Sequence, residues 1–96
     1  MEYSKQRFNT TREWILDGAK KSVLEKGYGK PEKFFKDFAE LLNWKFGTMF
    51  NAGQAGEILL LMKIARLKND SLNPDTHIDI AGYVSSVAEA KGIKEY

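Results

Sequence analysis

Apolar residues recur at intervals of three and four along the chain, the spacing of amphipathic helices. The first stripe predicts a helix that begins after Thr10 and ends near Lys26, with Thr10 and Glu13 forming a capping box. The second stripe predicts a helix that begins at Pro31 and is capped by Gly47. No alternating β-branched run bounded by turn residues occurs, so strands are not expected. The predicted core face of the second helix consists of Phe34, Phe35, Phe38, Leu41, Leu42 and Phe46.

The second half of the chain predicts two further helices. The third runs from about Gln54 to Lys68 and is apolar almost all round between Ile58 and Leu67. Such a helix is enclosed, either at the centre of a bundle or by a partner subunit. The turn signal Asn73-Pro74 precedes a fourth helix, which should begin near Asp75 and end before Gly92. A turn this short makes helices three and four an antiparallel hairpin. The predicted core face of the fourth helix consists of Ile80, Ala81, Val84, Val87 and Ala88.

Length and composition fit one small domain over residues 1–96, with residues 1–9 as a flexible arm. A hydrophobic content of 43% is ordinary for a globular protein. A core of this size leaves some apolar side chains on the surface, which is typical of homo-oligomers. We therefore predict an all-α, four-helix domain that forms an oligomer.

Charge and residue usage exclude several classes of protein. The net charge of +2 is spread along the chain, so no dedicated binding of DNA or RNA is expected. Without cysteine the chain has no disulfide, no thiol nucleophile and no cysteine zinc site. The polar N-terminus is not a signal peptide, and no apolar run approaches the ~20 residues of a membrane helix. The cytoplasm is the expected compartment.

Four charged residues stand out in and beside the apolar third helix. Lys63 and Arg66 interrupt its apolar run, and Asp75 and Asp79 follow at the start of the fourth helix. Charges in apolar segments are generally paired or functional. Hairpin geometry suggests an Arg66–Asp79 contact, with Asp75 or a second subunit as the competitor. The set is interpreted either as a structural ion pair or as a basic site for a phosphate or carboxylate.

Other candidate ligand-binding residues lie elsewhere. Tyr28 and Lys30 precede the second helix, whose free N–H groups could hold an anion; the alternative is a plain connection. Tyr83 and Trp44 offer rings on which a base could stack, although such rings more often belong to a core or an interface. The one histidine, His77, has no coupled nucleophile, so no catalytic residue is assigned.

Carboxylates suited to magnesium are sparse. Asp37 and Glu40 share a helix face, Glu57 stands alone, and Asp75 with Asp79 is the other pair. Magnesium-dependent phosphate chemistry generally needs several converging carboxylates. We therefore assign no metal ligand and no cofactor, and magnesium enters only if the protein is an enzyme.

Three sequence blocks together resemble a family of short, uncharacterised phage and prophage proteins. They are Tyr28-Gly-Lys-Pro31, Lys63-Ile-Ala-Arg66-Leu67 and Asp79-Ile-Ala-Gly-Tyr83, within a likeness that covers roughly residues 24–90 and leaves helix one outside. The chain departs from the family pattern at Phe34, Gln54 and His77. The resemblance implies a phage-type protein acting in an infected bacterial cell. A looser likeness links it to helical domains of nucleotide modification and to MazG-type pyrophosphohydrolases, whose first acidic motif is missing here.

Three functions follow as hypotheses. The first is a binding protein that holds a nucleotide-like ligand between subunits, with Lys63 and Arg66 on phosphate, and that sequesters a host immune nucleotide signal. The second is a magnesium-dependent nucleotide pyrophosphohydrolase that uses Asp75 and Asp79. The third is a protein-interaction module in which the charged pairs are structural. The missing catalytic sets favour the first over the second.

Overall fold

Four α-helices form the fold in the computed structural model, which describes residues 8–25 and 31–94 except for the side chain of Glu25. They are α1 (Thr11–Glu25), α2 (Pro31–Phe46), α3 (Ala52–Leu67) and α4 (Pro74–Ala90), and no strand occurs among these residues. The fourth helix is central, because α1, α2 and α3 all pack against it, while α1 contacts no other helix. The predicted all-α fold and the α3–α4 hairpin are confirmed.

Local signals place the helix ends. The backbone N–H of Glu13 donates to Thr10 Oγ1 at 3.1 Å, and the N–H of Thr10 donates to Glu13 Oε1 at 2.9 Å, which is the predicted capping box. Gly47 has a φ of 68°, as its capping role requires. The third helix begins two residues earlier than predicted because Asn51 and Gln54 form a second capping box.

The described part of the predicted flexible arm is tied to α1. The N–H of Asn9 donates to Glu13 Oε1 at 2.9 Å, so this residue extends the cap. Residues 1–7 lie outside the description. None of the described helices combines the length and the apolar character needed to span a membrane.

The core centres on Phe35, which is only 2% exposed and packs against Gly56 and the Tyr83 ring. The other buried apolar residues are Ala19, Ala39, Ala55 and Val87. The predicted core face of α2 is wrong for Phe34, Leu41 and Phe46, all of which are exposed. The third and fourth helices cover only one side of α2, so its apolar stripe is wider than the contact that buries it. The predicted core face of the fourth helix is likewise wrong for Val84, which is half exposed.

Asn43 holds the connection between α2 and α3. Its side-chain amide donates to the Phe50 carbonyl oxygen at 3.0 Å, and its Oδ1 accepts from the Phe50 N–H at 2.8 Å. The same oxygen accepts from the Thr48 hydroxyl at 2.7 Å. These bonds satisfy loop groups that no helix ladder reaches.

Replacing Asn43 with alanine should lower the free energy of unfolding by about 1–2 kcal/mol, since partly buried loop groups lose their partners. Asn43→Asp is the matched control, because it retains both acceptor bonds and loses the donor to Phe50. We expect it to fall between alanine and the wild type in urea denaturation. An alanine variant as stable as the wild type would contradict this role.

Candidate functional site

Lys63 and Asp79 join α3 to α4. Lys63 Nζ lies 3.3 Å from Asp79 Oδ2, so the predicted Arg66–Asp79 pair is wrong. The helix ends explain the difference. Lys63 is four residues before the end of α3 and Asp79 is five residues after the start of α4, so the two lie at the same level. Arg66 stands one residue from the end of α3, about 4.5 Å further along its axis.

The Tyr83 ring lies beside the Lys63 side chain. Its Nζ lies 5.7 Å from the centroid of the Tyr83 ring, within the range of a cation–π interaction. The Tyr83 ring stacks on Phe35, with centroids 6.4 Å apart and planes inclined by 21°. The Lys63 side chain is 15% exposed and that of Asp79 is 33% exposed. This Lys63–Asp79–Tyr83 cluster therefore presents a half-buried, largely neutralised lysine and leaves little of the Tyr83 ring open for a base.

Arg66 carries the unneutralised charge beside this cluster. It is exposed in the last turn of α3 and forms no ion pair with any residue in the described ranges 8–25 and 31–94. It lies three residues after Lys63, hence on a neighbouring face one turn on. An exposed guanidinium can offer two parallel N–H donors to a phosphate or a carboxylate.

Asp75 lies in the first turn of α4 and is exposed. Its backbone N–H donates to Asn73 Oδ1 at 2.9 Å, which caps the helix. Its carboxylate, like the Arg66 guanidinium, forms no ion pair with the part of the chain that the structure describes. Asp75 and Arg66 are each one residue inside their helices, so they share a level at the turn end of the hairpin.

Trp44 does not join this cluster. Trp44 is 80% exposed and lies nine residues after Phe35 on α2, a rotation of about 180° that places it on the opposite side of the helix. Tyr28 and Lys30 fall within residues 26–30, outside the description. The Lys63–Asp79–Tyr83 cluster with Arg66 and Asp75 is thus the part of the predicted site that the fold brings together.

The turn between α3 and α4 is fixed by two side-chain contacts that the sequence did not predict. His77 Nε2 lies 2.8 Å from the Ser71 carbonyl oxygen, and Asn73 Nδ2 donates to Asp70 Oδ2 at 2.9 Å. Neither contact follows a recognisable sequence motif. Both hold the end of the hairpin on which Arg66 and Asp75 stand.

A concave surface that was not predicted lies at the other end of the hairpin. Its volume is about 560 Å³, and its walls come from the start of α3 and the end of α4. Lys91 Nζ lies 2.6 Å from Glu57 Oε2 here, and the absence of a side chain at Gly53 leaves room for the Lys91 stem. The Lys91 charge is thereby already paired within the chain.

The carboxylates considered for magnesium do not converge. Glu57 pairs with Lys91. It lies six residues before Lys63 on α3, and therefore about 9 Å from the level of Asp79. Asp37 pairs with Lys33 on the surface of α2. Within residues 8–25 and 31–94, no group of three His, Cys, Asp or Glu side chains is placed to hold a metal ion.

Comparison with known proteins identifies the family. A domain family of unknown function, DUF6378, matches residues 14–91, which is most of the chain. The chain belongs to the DUF6378 family. The gene 55 protein of Mycobacterium phage D29 is 33% identical over 78 residues, which make up 78% of this chain and 52% of that protein. The chain thus spans little more than half of this relative. No solved structure matches.

These findings support the predicted resemblance to an uncharacterised phage family and correct its extent. The DUF6378 match begins at residue 14 and includes most of α1, whereas the motifs placed helix one outside the likeness. The first helix belongs to the domain because it packs on α4, where Gly18 lets Ile78 approach closely. The likeness to MazG-type enzymes is tested by neither comparison and stays a prediction.

Proposed function

We propose that this DUF6378 domain binds a phosphorylated, nucleotide-like small molecule at the turn end of the α3–α4 hairpin. The observation that carries the proposal is the exposed Arg66, which has no carboxylate partner in the described ranges and stands one turn from the half-buried Lys63. Asp79 and Tyr83 hold Lys63 in place, so its position needs no ordering when a ligand arrives.

Each residue takes a role that fits its surroundings. Arg66 binds phosphate through its planar fork, and the Lys63–Asp79 pair forms the neighbouring surface of the site. Asp75, exposed at the same level as Arg66, accepts a hydrogen bond from a ribose hydroxyl or a base edge. Tyr83 supports Lys63, because stacking on Phe35 occupies part of its ring. The ligand is held and released unchanged, a role that suits a small phage-related protein sequestering a host nucleotide signal.

The test is calorimetric titration of the protein with inorganic phosphate, nucleoside mono- and triphosphates and cyclic nucleotides. Arg66→Ala should weaken binding of the best ligand about 10- to 100-fold, the cost of losing a charged hydrogen-bonding partner. The fold should be unchanged, because Arg66 is exposed. Lys45→Ala is the matched control, since Lys45 is an exposed cation in the last turn of another helix and should leave affinity unaltered.

Two binding results would overturn the proposal. One is the absence of binding across the whole panel at concentrations near 1 mM, the weak end of specific affinity. The other is equal loss of affinity in Arg66→Ala and Lys45→Ala, which would indicate non-specific attraction of anions. Recovery of the ligand intact after denaturation supports sequestration. Release of pyrophosphate from a nucleoside triphosphate after magnesium is added would instead support the pyrophosphohydrolase hypothesis and overturn the proposal.

A further inference from the structure

A second apolar face of α3 points away from the core. Leu61 is 63% exposed and Ile64 is 42% exposed, and the half-exposed Glu57 and the exposed Lys68 continue the same line toward the two ends of the helix. The spacing of these four residues is four, three and four, the spacing of a coiled-coil seam. We call Glu57, Leu61, Ile64 and Lys68 the α3 seam.

Another side of α3, about 120° around the helix from the α3 seam, already serves the fold. Gly56 lies against Phe35 and Val87, and Lys63 reaches Asp79. The helix is therefore apolar on two faces, of which the domain covers one. A helix that is hydrophobic nearly all round is a buried helix in its final assembly.

The order of residues along the α3 seam is self-complementary. The midpoint between Leu61 and Ile64 is also the midpoint between Glu57 and Lys68. A two-fold axis through this point, perpendicular to α3, sets Leu61 of one copy beside Ile64 of the other. It also sets Glu57 beside Lys68 of the other copy, at both ends of the contact. Isologous dimers require a surface that complements itself in this way.

The charges select this arrangement. A parallel pairing would place Glu57 beside Glu57 and Lys68 beside Lys68, and like charges across an interface are unfavourable. The antiparallel pairing places unlike charges side by side. It also aligns the two helix dipoles in opposite directions, which is favourable. Glu57 uses Oε2 for Lys91, which leaves Oε1 to accept from a lysine of the second copy. Lys68 forms no ion pair with any described residue of its own chain.

We infer that a second copy of this chain docks on the α3 seam, with the two third helices antiparallel across a two-fold axis between Leu61 and Ile64. The contact covers the outward face of α3. In it, Glu57 of each copy lies beside Lys68 of the other copy. This inference is independent of the proposed ligand site.

Sedimentation equilibrium of the wild type and of Leu61→Glu tests the apolar centre. We expect a dimer for the wild type and a dissociation constant at least ~100-fold higher for the variant, because two buried leucines per dimer are replaced by charges. Leu16→Glu is the matched control, since Leu16 on α1 is 62% exposed and lies outside the seam. It should dimerise like the wild type. A monomeric wild type at ~1 mM, or equal dissociation of both variants, would overturn the inference.

Charge reversal tests the orientation. Glu57→Lys alone and Lys68→Glu alone should each weaken self-association about 10-fold or more, because each opposes like charges twice. An equimolar mixture of the two variants should form a heterodimer near wild-type affinity, since every 57–68 contact then joins a lysine and a glutamate. Circular dichroism checks that both variants remain folded. Failure of the mixture to associate better than either variant alone would exclude the antiparallel seam.

Discussion

Replacing Gly56 with alanine should lower the free energy of unfolding by about 1 kcal/mol, although alanine is the better helix former. A Cβ atom at this position would lie 2.7 Å from Phe35 Cε2 and 2.9 Å from Val87 Cγ2. Both neighbours are buried core residues, so they cannot turn out into solvent without loss of packing. Overpacking of this kind costs about 1–3 kcal/mol, and the gain of about 1 kcal/mol in helix propensity offsets only part of it.

Gly82 supplies the matched control in α4. A Cβ atom there would meet nothing closer than Val23 Cγ2 at 3.6 Å, which is an ordinary van der Waals contact. Gly82→Ala should therefore stabilise the protein by about 0.5–1 kcal/mol through helix propensity alone. Urea denaturation followed by far-UV circular dichroism measures both variants. Stabilisation by Gly56→Ala would show that α2, α3 and α4 do not meet this closely in solution.

Replacing Asp79 with alanine should lower the free energy of unfolding by about 2 kcal/mol, because it leaves the Lys63 ammonium without its partner. The Lys63 side chain is 15% exposed, so water replaces the lost carboxylate only in part. The figure is below that of a fully buried pair because the Asp79 side chain is 33% exposed. Thermal and chemical denaturation should agree on the loss.

A double-mutant cycle isolates this ion pair from the packing around it. Lys63→Met with Asp79→Ala should recover most of the loss, since no charge is then left unpaired beside Tyr83. Asp37→Ala is the exposed control. Its partner Lys33 is a surface lysine 3.0 Å away, and we expect a change within about 0.5 kcal/mol. Additive effects at Lys63 and Asp79 would show that the two side chains are not coupled in solution.

Local signals were sufficient to predict most of the helix ends. Each capping residue acts on backbone groups within a few residues, so its effect is visible in the sequence. The residues are Pro31, Gly47, Asn73 and the pair Thr10 and Glu13. Asn51 and Gln54 form a capping box of the same kind as Thr10 and Glu13. The predicted start of α3 did not include this box and was two residues too late.

The partner of Asp79 was beyond such reasoning. Lys63 and Arg66 are both candidates for contact with α4, and the choice between them depends on how far each lies from the end of α3. Arg66 lies one residue before that end, at the turn end of the hairpin, whereas Lys63 lies four residues before it, at the level of Asp79. A shift of three residues, about 4.5 Å along a helix, is enough to exchange a structural role for an exposed one.

The sequence by itself determined the helical class, the breaks between helices and the segment of α3 and α4 that holds the unusual charges, because these depend on periodicity and on contacts of three or four residues. Tertiary structure decided the rest. It buried Phe35 while leaving Phe34 and Leu41 exposed, paired Asp79 with Lys63 and left Arg66 open. The physical reason is that apolar stripes and charges are properties of one helix, whereas burial and pairing depend on how far and at what level neighbouring helices cover it.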